Sequence, residues 1–141
     1  MAGILLPVAD MKYDKKAFDT AIEIAQKLNL KITLINVQNI DEMERCKIYE
    51  EYFMIKDADF EHISKKILEN AKTFFEGKDV EVDIKTEYGD PAETIIDMAE
   101  KQEFDYVIIN SHRIDSKKRF LLGSVTNKVV HHATRPVLVI K

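Results

Sequence analysis

The 141-residue chain has no tryptophan, one cysteine, three prolines and four glycines. With Cys46 alone, an internal disulfide is impossible and a metal site built on paired cysteines is excluded. That suits a reducing compartment. No linker, internal repeat or low-complexity segment divides the sequence, and its length fits one domain, 1–141, able to bury a substantial core. No apolar run approaches the ~20 residues that cross a bilayer, so no membrane partner is expected. Residues 1–7 lack the basic region and small-residue cleavage site of a secretory signal, and the expected location is cytoplasmic. A surplus of positive charge is missing too: 21 Lys and Arg face 25 Asp and Glu, a net charge of −4. A surface that reads nucleic-acid phosphates usually makes its domain basic, so nucleic-acid binding is disfavoured.

What is present reads as alternating strands and helices. Ile4-Leu5-Leu6-Pro7-Val8 is a continuous apolar run, as expected of a strand central in a parallel sheet. Proline suits a strand end but not mid-ladder. Phe18, Ala21, Ile22, Ala25 and Leu28 fall at helical spacing, and Asn29 marks that helix's stop. Ile32 to Val37 is a second β-rich run. Residues 38–56 are acidic with scattered aromatics and fit a loop with a short helix.

From residue 57 a long helix is expected, with Phe60, Ile63, Ile67, Ala71 and Phe74 on one face and Gly77 at its end. Val80 to Lys85 alternates strictly, so this strand shows one face to water and belongs near an edge. Asp90, Pro91 and Glu93 have the cap, first-turn proline and capping-box spacing of a helix start. Ile95, Ile96 and Ala99 supply its buried stripe. Tyr106 to Ile109 is a fourth strand, followed by a polar, basic loop from Asn110 to Arg119. A helix carrying Val125, Val129 and Ala133 follows Gly123-Ser124, and Pro136 to Ile140 is the last strand. The alternation predicts a doubly wound α/β fold, a five-stranded parallel sheet with helices on both faces.

In such a sheet a ligand binds beyond the carboxyl ends of the strands, where strand order reverses. With the first strand central, the crevice lies between Ala9-Asp10 and the loop from Asn110 onward. Gly123-Ser124 opens the last helix, where main-chain N–H groups and the helix dipole favour an anion. The plainer alternative makes Ser124 an N-cap and Gly123 a turn residue. Arg113, Lys117, Lys118 and Arg119 could clamp a polyphosphate; a solvated basic loop explains them equally. His131-His132 point in different directions on a helix and suit a helix end rather than a metal. Ser111 and His112 lack a third partner for a triad, and nothing near Cys46 suggests a base. Tyr49, Tyr52 and Phe53 read as packing residues, with a lid or dimer contact as the alternative. No catalytic or metal-ligating residue is assigned.

Asn110-Ser111-His112-Arg113, nine residues, Gly123-Ser124-Val125 and the closing Pro136-Val137-Leu138-Val139-Ile140 resemble the C-terminal signature of the universal stress protein family. Ile4 to Val8 and Thr33 to Val37 match its first two strands. The resemblance implies an adenine nucleotide alpha hydrolase-like sheet in strand order 3-2-1-4-5, and a dimeric, non-enzymatic stress-response protein with a degenerate nucleotide site. The alternative within the family is an ATP-binding member with slow hydrolysis or phosphotransfer. A phosphoacceptor receiver domain is a more distant reading. Its acceptor aspartate would have to be Asp90, better used as a cap, and its lysine Lys141, which no helix follows.

Carried over residue by residue, the resemblance implies nucleotide contacts at Pro7, Val8, Ala9, Asp10, Val37, Asn110, Ser111, Arg113, Gly123, Ser124 and Val125, with ATP or AMP and Mg as the ligand. The ATP-binding pattern carries glycines where Asn110 and Arg113 stand here, and an aspartate where Ala9 stands. Asn110 tolerates a left-handed backbone better than most residues, so that loss is mild. Arg113 either plugs the triphosphate site or pairs with a phosphate. The resemblance also implies a homodimer through the last strand, Val137, Leu138, Val139 and Ile140. An exposed apolar strand of that kind invites pairing.

Overall fold

The computed structural model describes residues 3–10, 15–39, 57–111 and 122–141. In chain order its elements are β1 (Ile4–Pro7), α1 (Lys15–Leu28), β2 (Ile32–Gln38), α2 (Asp57–Thr73), β3 (Val82–Tyr88), α3 (Pro91–Lys101), β4 (Tyr106–Asn110), α4 (Ser124–His132) and β5 (Val137–Ile140). The strands form one sheet in the order β3-β2-β1-β4-β5, and all four neighbouring pairs are parallel. The expected architecture and strand order are those observed. Among the described residues no helix is long and apolar enough to cross a membrane.

Side chains of successive strand residues point to opposite faces of a sheet, and each face here has its own core. Even-numbered residues of β1, β2 and β4 (Ile4, Leu6, Ile32, Leu34, Ile108) pack with α1 and α2 through Phe18, Ala21, Ile67, Leu68 and Ala71. Odd-numbered Leu5, Ile35, Val107 and Ile109 pack with α3 and α4 through Ile95, Met98, Ala99 and Val129. Burial of both faces explains the unbroken apolar runs of β1 and β4. Strand β3 alternates because it is an edge: Ile84 packs on the core while Asp83 and Lys85 face water.

Helix ends follow local chemistry. Asn29 adopts φ 54° just past α1, the left-handed stop that its short polar side chain tolerates. Asp90 caps α3 by accepting from the main-chain N–H of Glu93 at 3.0 Å, with Pro91 in the first helical position.

Expectations for β3 and α2 need correction. Strand β3 starts at Val82 rather than Val80 and runs on to Tyr88, because every residue from Val82 to Tyr88 pairs with Ile32 to Gln38 of β2. Helix α2 ends at Thr73, and a turn carries the chain from there to Gly77. Its buried face is Ser64, Ile67, Leu68 and Ala71, whereas Ile63 is 46% exposed. Ser64 is turned inward because its hydroxyl lies 2.9 Å from that of Thr86 on β3, so a hydrogen bond fills a row that an apolar stripe alone would have given to Ile63.

Candidate functional site

The candidate site lies where strand order reverses, at the carboxyl ends of β1 and β4, and begins with the main chain of β1. Ile4 and Val8 donate their N–H groups to Lys31, just before β2, and to Ile35 within it, each at 2.8 Å, while the carbonyl of Gly3 accepts from Asp105 and Tyr106 at the start of β4. In a parallel ladder the N–H and C=O of one residue point the same way and alternate along the strand. Even residues of β1 therefore bond to β2 and odd ones to β4. The next odd residue after Leu5 is Pro7, which has no N–H to give. Pairing between β1 and β4 is correspondingly confined to Ile4 with Tyr106 and Leu5 with Val107, although β4 runs on to Asn110. The carboxyl ends of these two strands are where strand order reverses, and there they are not laced together.

On the β4 side, three hydrogen bonds fix the start of α4. The N–H of Ser111 donates to Ile140 and the N–H of Gly123 donates to the Ser111 carbonyl, both at 2.8 Å. The Thr126 hydroxyl donates to the Asn110 carbonyl at 2.6 Å. Asn110, Ser111 and Gly123 are thus brought together, with Ser124 and Val125 following in the first turn. Gly123 is itself the N-cap, in extended conformation (φ −61°, ψ 157°) and without a side-chain cap. Ser124 is the first helical residue, not the cap, and it is exposed. The N–H groups of a first helical turn have no intrahelical acceptor. At α4 no acidic side chain in that turn competes for them.

On the β1 side, Asn36 carries the geometry. Its side chain is 1% exposed. Its Nδ2 donates to the carbonyls of Val8 at 2.7 Å and Ala9 at 3.3 Å, while its Oδ1 accepts from Gln38 Nε2 at 2.6 Å. Val8 is buried, Pro7 and Asp10 are half-buried and Ala9 is exposed. Val37 and Val125 both turn their side chains onto the core shared with α3, so what they can offer a ligand is main chain. Val8 is spent on both counts, its side chain in the core and its N–H and C=O bonded to β2 residues.

Asn110 needs no left-handed conformation. It ends β4 in register with Ile140, and the positive-φ residues other than glycine among the described residues are Asn29, Asp79 and Glu103. The glycine absent at that position is therefore not demanded by the backbone. Arg113, His112, Lys117, Lys118, Arg119, Cys46, Tyr49, Tyr52 and Phe53 lie outside the described residues. His131 and His132 are exposed in the last turn of α4. Among the described residues no group of three His, Cys, Asp or Glu side chains is placed to hold a metal.

Strand β5 is the other sheet edge. The carbonyls of Pro136 and Ile140 accept from Val107 and Ser111. By alternation the N–H and C=O of Val137 and Val139 point away from the sheet. Of the four apolar side chains, Leu138 is the exposed one, at 38%. Val137, Val139 and Ile140 pack against the cores.

Sequence reasoning missed Asn36, Gln38 and Thr126. Asn36 did leave a signal, a lone amide in an apolar strand, since a buried polar side chain requires partners.

The model of the universal stress protein family matches residues 2–141. A universal stress protein of Staphylococcus aureus strain USA300 is 26% identical over 141 residues, covering 99% of this chain and 83% of that protein. The universal stress protein UspA from Lactobacillus plantarum has a similar structure, with TM-score 0.75 and 25% identity over 99% of this chain and 97% of that one. A universal stress protein from Archaeoglobus fulgidus, solved in complex with dAMP, shares the fold at TM-score 0.74 and 20% identity, covering 100% of this chain and 98% of that one. The chain belongs to the universal stress protein family.

Proposed function

We propose that this chain is a non-enzymatic, regulatory universal stress protein of the cytoplasm that takes an adenine nucleotide weakly in the cleft between the tip of β1 and the start of α4. The observation that carries the reading is the unlaced end of β1 and β4, closed on one side by the first turn of α4. Free N–H groups of that turn suit a phosphate, and the fold relative from Archaeoglobus fulgidus holds dAMP. The first-turn N–H groups from Ser124 onward would receive the phosphate, with Asn110, Ser111 and Gly123 beside them, Ala9 and Asp10 at the β1 tip and Val37 toward the nucleoside.

Weak rather than tight binding follows from two substitutions. Ala9 puts a methyl group where the ATP-binding pattern has a carboxylate, and Arg113 replaces a glycine in the phosphate loop. Magnesium usually keeps several waters and needs only one or two protein carboxylates besides phosphate oxygens. Asp10 is the carboxylate at the β1 tip that fits that part. The protein acts as a homodimer joined along β5, where two residues turn their main-chain groups outward beside exposed Leu138.

The test is a thermal-shift titration with AMP and with ATP, with and without Mg, beside mass spectrometry of acid-released ligand. Ligand stabilises by RT ln(1 + [L]/Kd), so 3 mM nucleotide at a Kd of ~0.3 mM adds ~1.4 kcal/mol, about 3–5 °C for a domain of this size. No shift with either nucleotide, and none released, overturns the reading. A steady release of phosphate from ATP overturns its non-enzymatic part and favours slow hydrolysis.

A further inference from the structure

We propose that Asn36 is a positioning residue of this cleft: it does not touch the ligand, but sets the shape of the β1 tip on which nucleotide affinity depends. The inference rests on the nucleotide reading above and deepens it. Pairing of β1 with β2 ends at Pro7 and Ile35, followed by the N–H of Val8 on the Ile35 carbonyl. Beyond that point the carbonyls of Val8 and Ala9 are held by one side chain, the Asn36 amide. On its other side β1 has no lacing to β4 past Leu5. The direction in which the chain leaves the sheet toward Ala9 and Asp10 is therefore set by a side chain rather than by a ladder.

The amide is itself oriented. Gln38 Nε2 donates to Asn36 Oδ1 at 2.6 Å, which leaves Nδ2, with its two hydrogens, toward the two carbonyls. Asn36 is buried where a wrong orientation would strand both carbonyls without a donor. Ala9 and Asp10 are the residues of the β1 tip nearest the ligand in the nucleotide reading, so a change in their main chain moves one wall of the cleft relative to the start of α4.

Asn36→Leu keeps the shape and removes the donors. Asn36→Asp differs by one group and restores a single donor when the introduced carboxyl is protonated. Leu68→Val, in the core between α2 and the sheet, is the control for loss of stability alone. AMP affinity is measured for each by isothermal titration calorimetry at pH 8 and pH 5.5, with the folded fraction fixed by circular dichroism. Loss of two hydrogen bonds that shape the site weakens AMP binding by about tenfold in Asn36→Leu at both pH values. Asn36→Asp is as weak at pH 8 and recovers toward wild type at pH 5.5, judged against wild type at the same pH. Leu68→Val lowers the melting temperature and leaves affinity within about twofold, since distant sites act independently.

Equal affinity in wild type and Asn36→Leu overturns the inference and leaves the nucleotide reading standing. So does an equal loss in Leu68→Val, which makes the effect one of general stability. A wild type that binds no AMP overturns both readings together. Should Asn36→Leu fail to fold, the pH response of Asn36→Asp decides: absence of recovery at pH 5.5 counts against the positioning role.

Discussion

The hydroxyl of Thr126 donates to the main-chain carbonyl of Asn110 at 2.6 Å, across the gap between α4 and the end of β4. Even residues of β4 face β1, since Tyr106 donates to Gly3 while odd Val107 donates to Pro136. The Asn110 carbonyl thus points to the side that β1 has left, and a helix side chain takes the place of a strand partner. Thr126 is 4% exposed. Thr126→Val keeps its shape and leaves that carbonyl without the hydroxyl. The expected cost is about 1–2 kcal/mol, or roughly 3–8 °C in Tm. Urea unfolding checks it, and a midpoint equal to wild type would show that water replaces the hydroxyl without loss.

Most of the fold was legible because the strands announce their burial. An apolar run such as Ile4 to Leu6 and an alternating one such as Val82 to Lys85 distinguish central from edge positions by period alone. The start of α3 was legible from Asp90 and Pro91, whose chemistry is local. The face of α2 was not, because Ser64 is buried by a partner, Thr86, that lies 22 residues away. The point where strand order reverses, and the helix start at Gly123, were legible. The construction of the site was not. The parts played by Pro7, Asn36 and Thr126 depend on which way a main-chain group points, and that is set by pairing register between strands distant in sequence.

Gly3 is required where Gly77 is merely convenient. Both have positive φ, 85° and 72°. A Cβ at Gly3 would lie 2.0 Å from the Lys31 carbonyl oxygen, while one at Gly77 meets nothing within 4 Å. Gly77→Ala should therefore cost only the left-handed penalty, about 1–2 kcal/mol. Gly3→Ala adds a main-chain clash at the joint of β1 and β2, and also disturbs the carbonyl that accepts from Asp105 and Tyr106. It should cost more than ~4 kcal/mol, at the extreme of single substitutions. Chemical denaturation of both variants decides the ranking; equal losses would refute the clash.

Lys31 and Asp83 tie the starts of β2 and β3 at 2.6 Å, with side chains 36% and 56% exposed. The hydrogen bond to Asp83, then its charge, holds the Lys31 ammonium above its ordinary value of 10.5. Folding thus raises this pKa. Its stabilisation is complete below the unfolded value and fades as pH rises through the folded one. Exposure limits the size to below ~1 kcal/mol. Wild type should lose this small increment as the pH rises beyond the ordinary lysine value of 10.5, and Lys31→Met should lack it. The measurement is the difference in urea midpoints between the two proteins against pH; a difference that grows with pH would contradict the sign.

Leu138 tests the edge. In β5 it is the exposed apolar side chain, at 38%, beside the outward main-chain groups of Val137 and Val139. A strand edge left in this state templates pairing with another chain, and an inserted lysine is a device that proteins use to prevent it. Leu138→Lys should keep the fold, since little packing is lost at an exposed position. It should convert a species with the mass of two chains into one with the mass of one in light scattering at micromolar concentration. A Val130→Lys variant, at another exposed apolar position (39%) on α4, should remain dimeric. Persistence of the dimer in Leu138→Lys, or its loss in Val130→Lys instead, would move the seam from the β5 edge to the helical face.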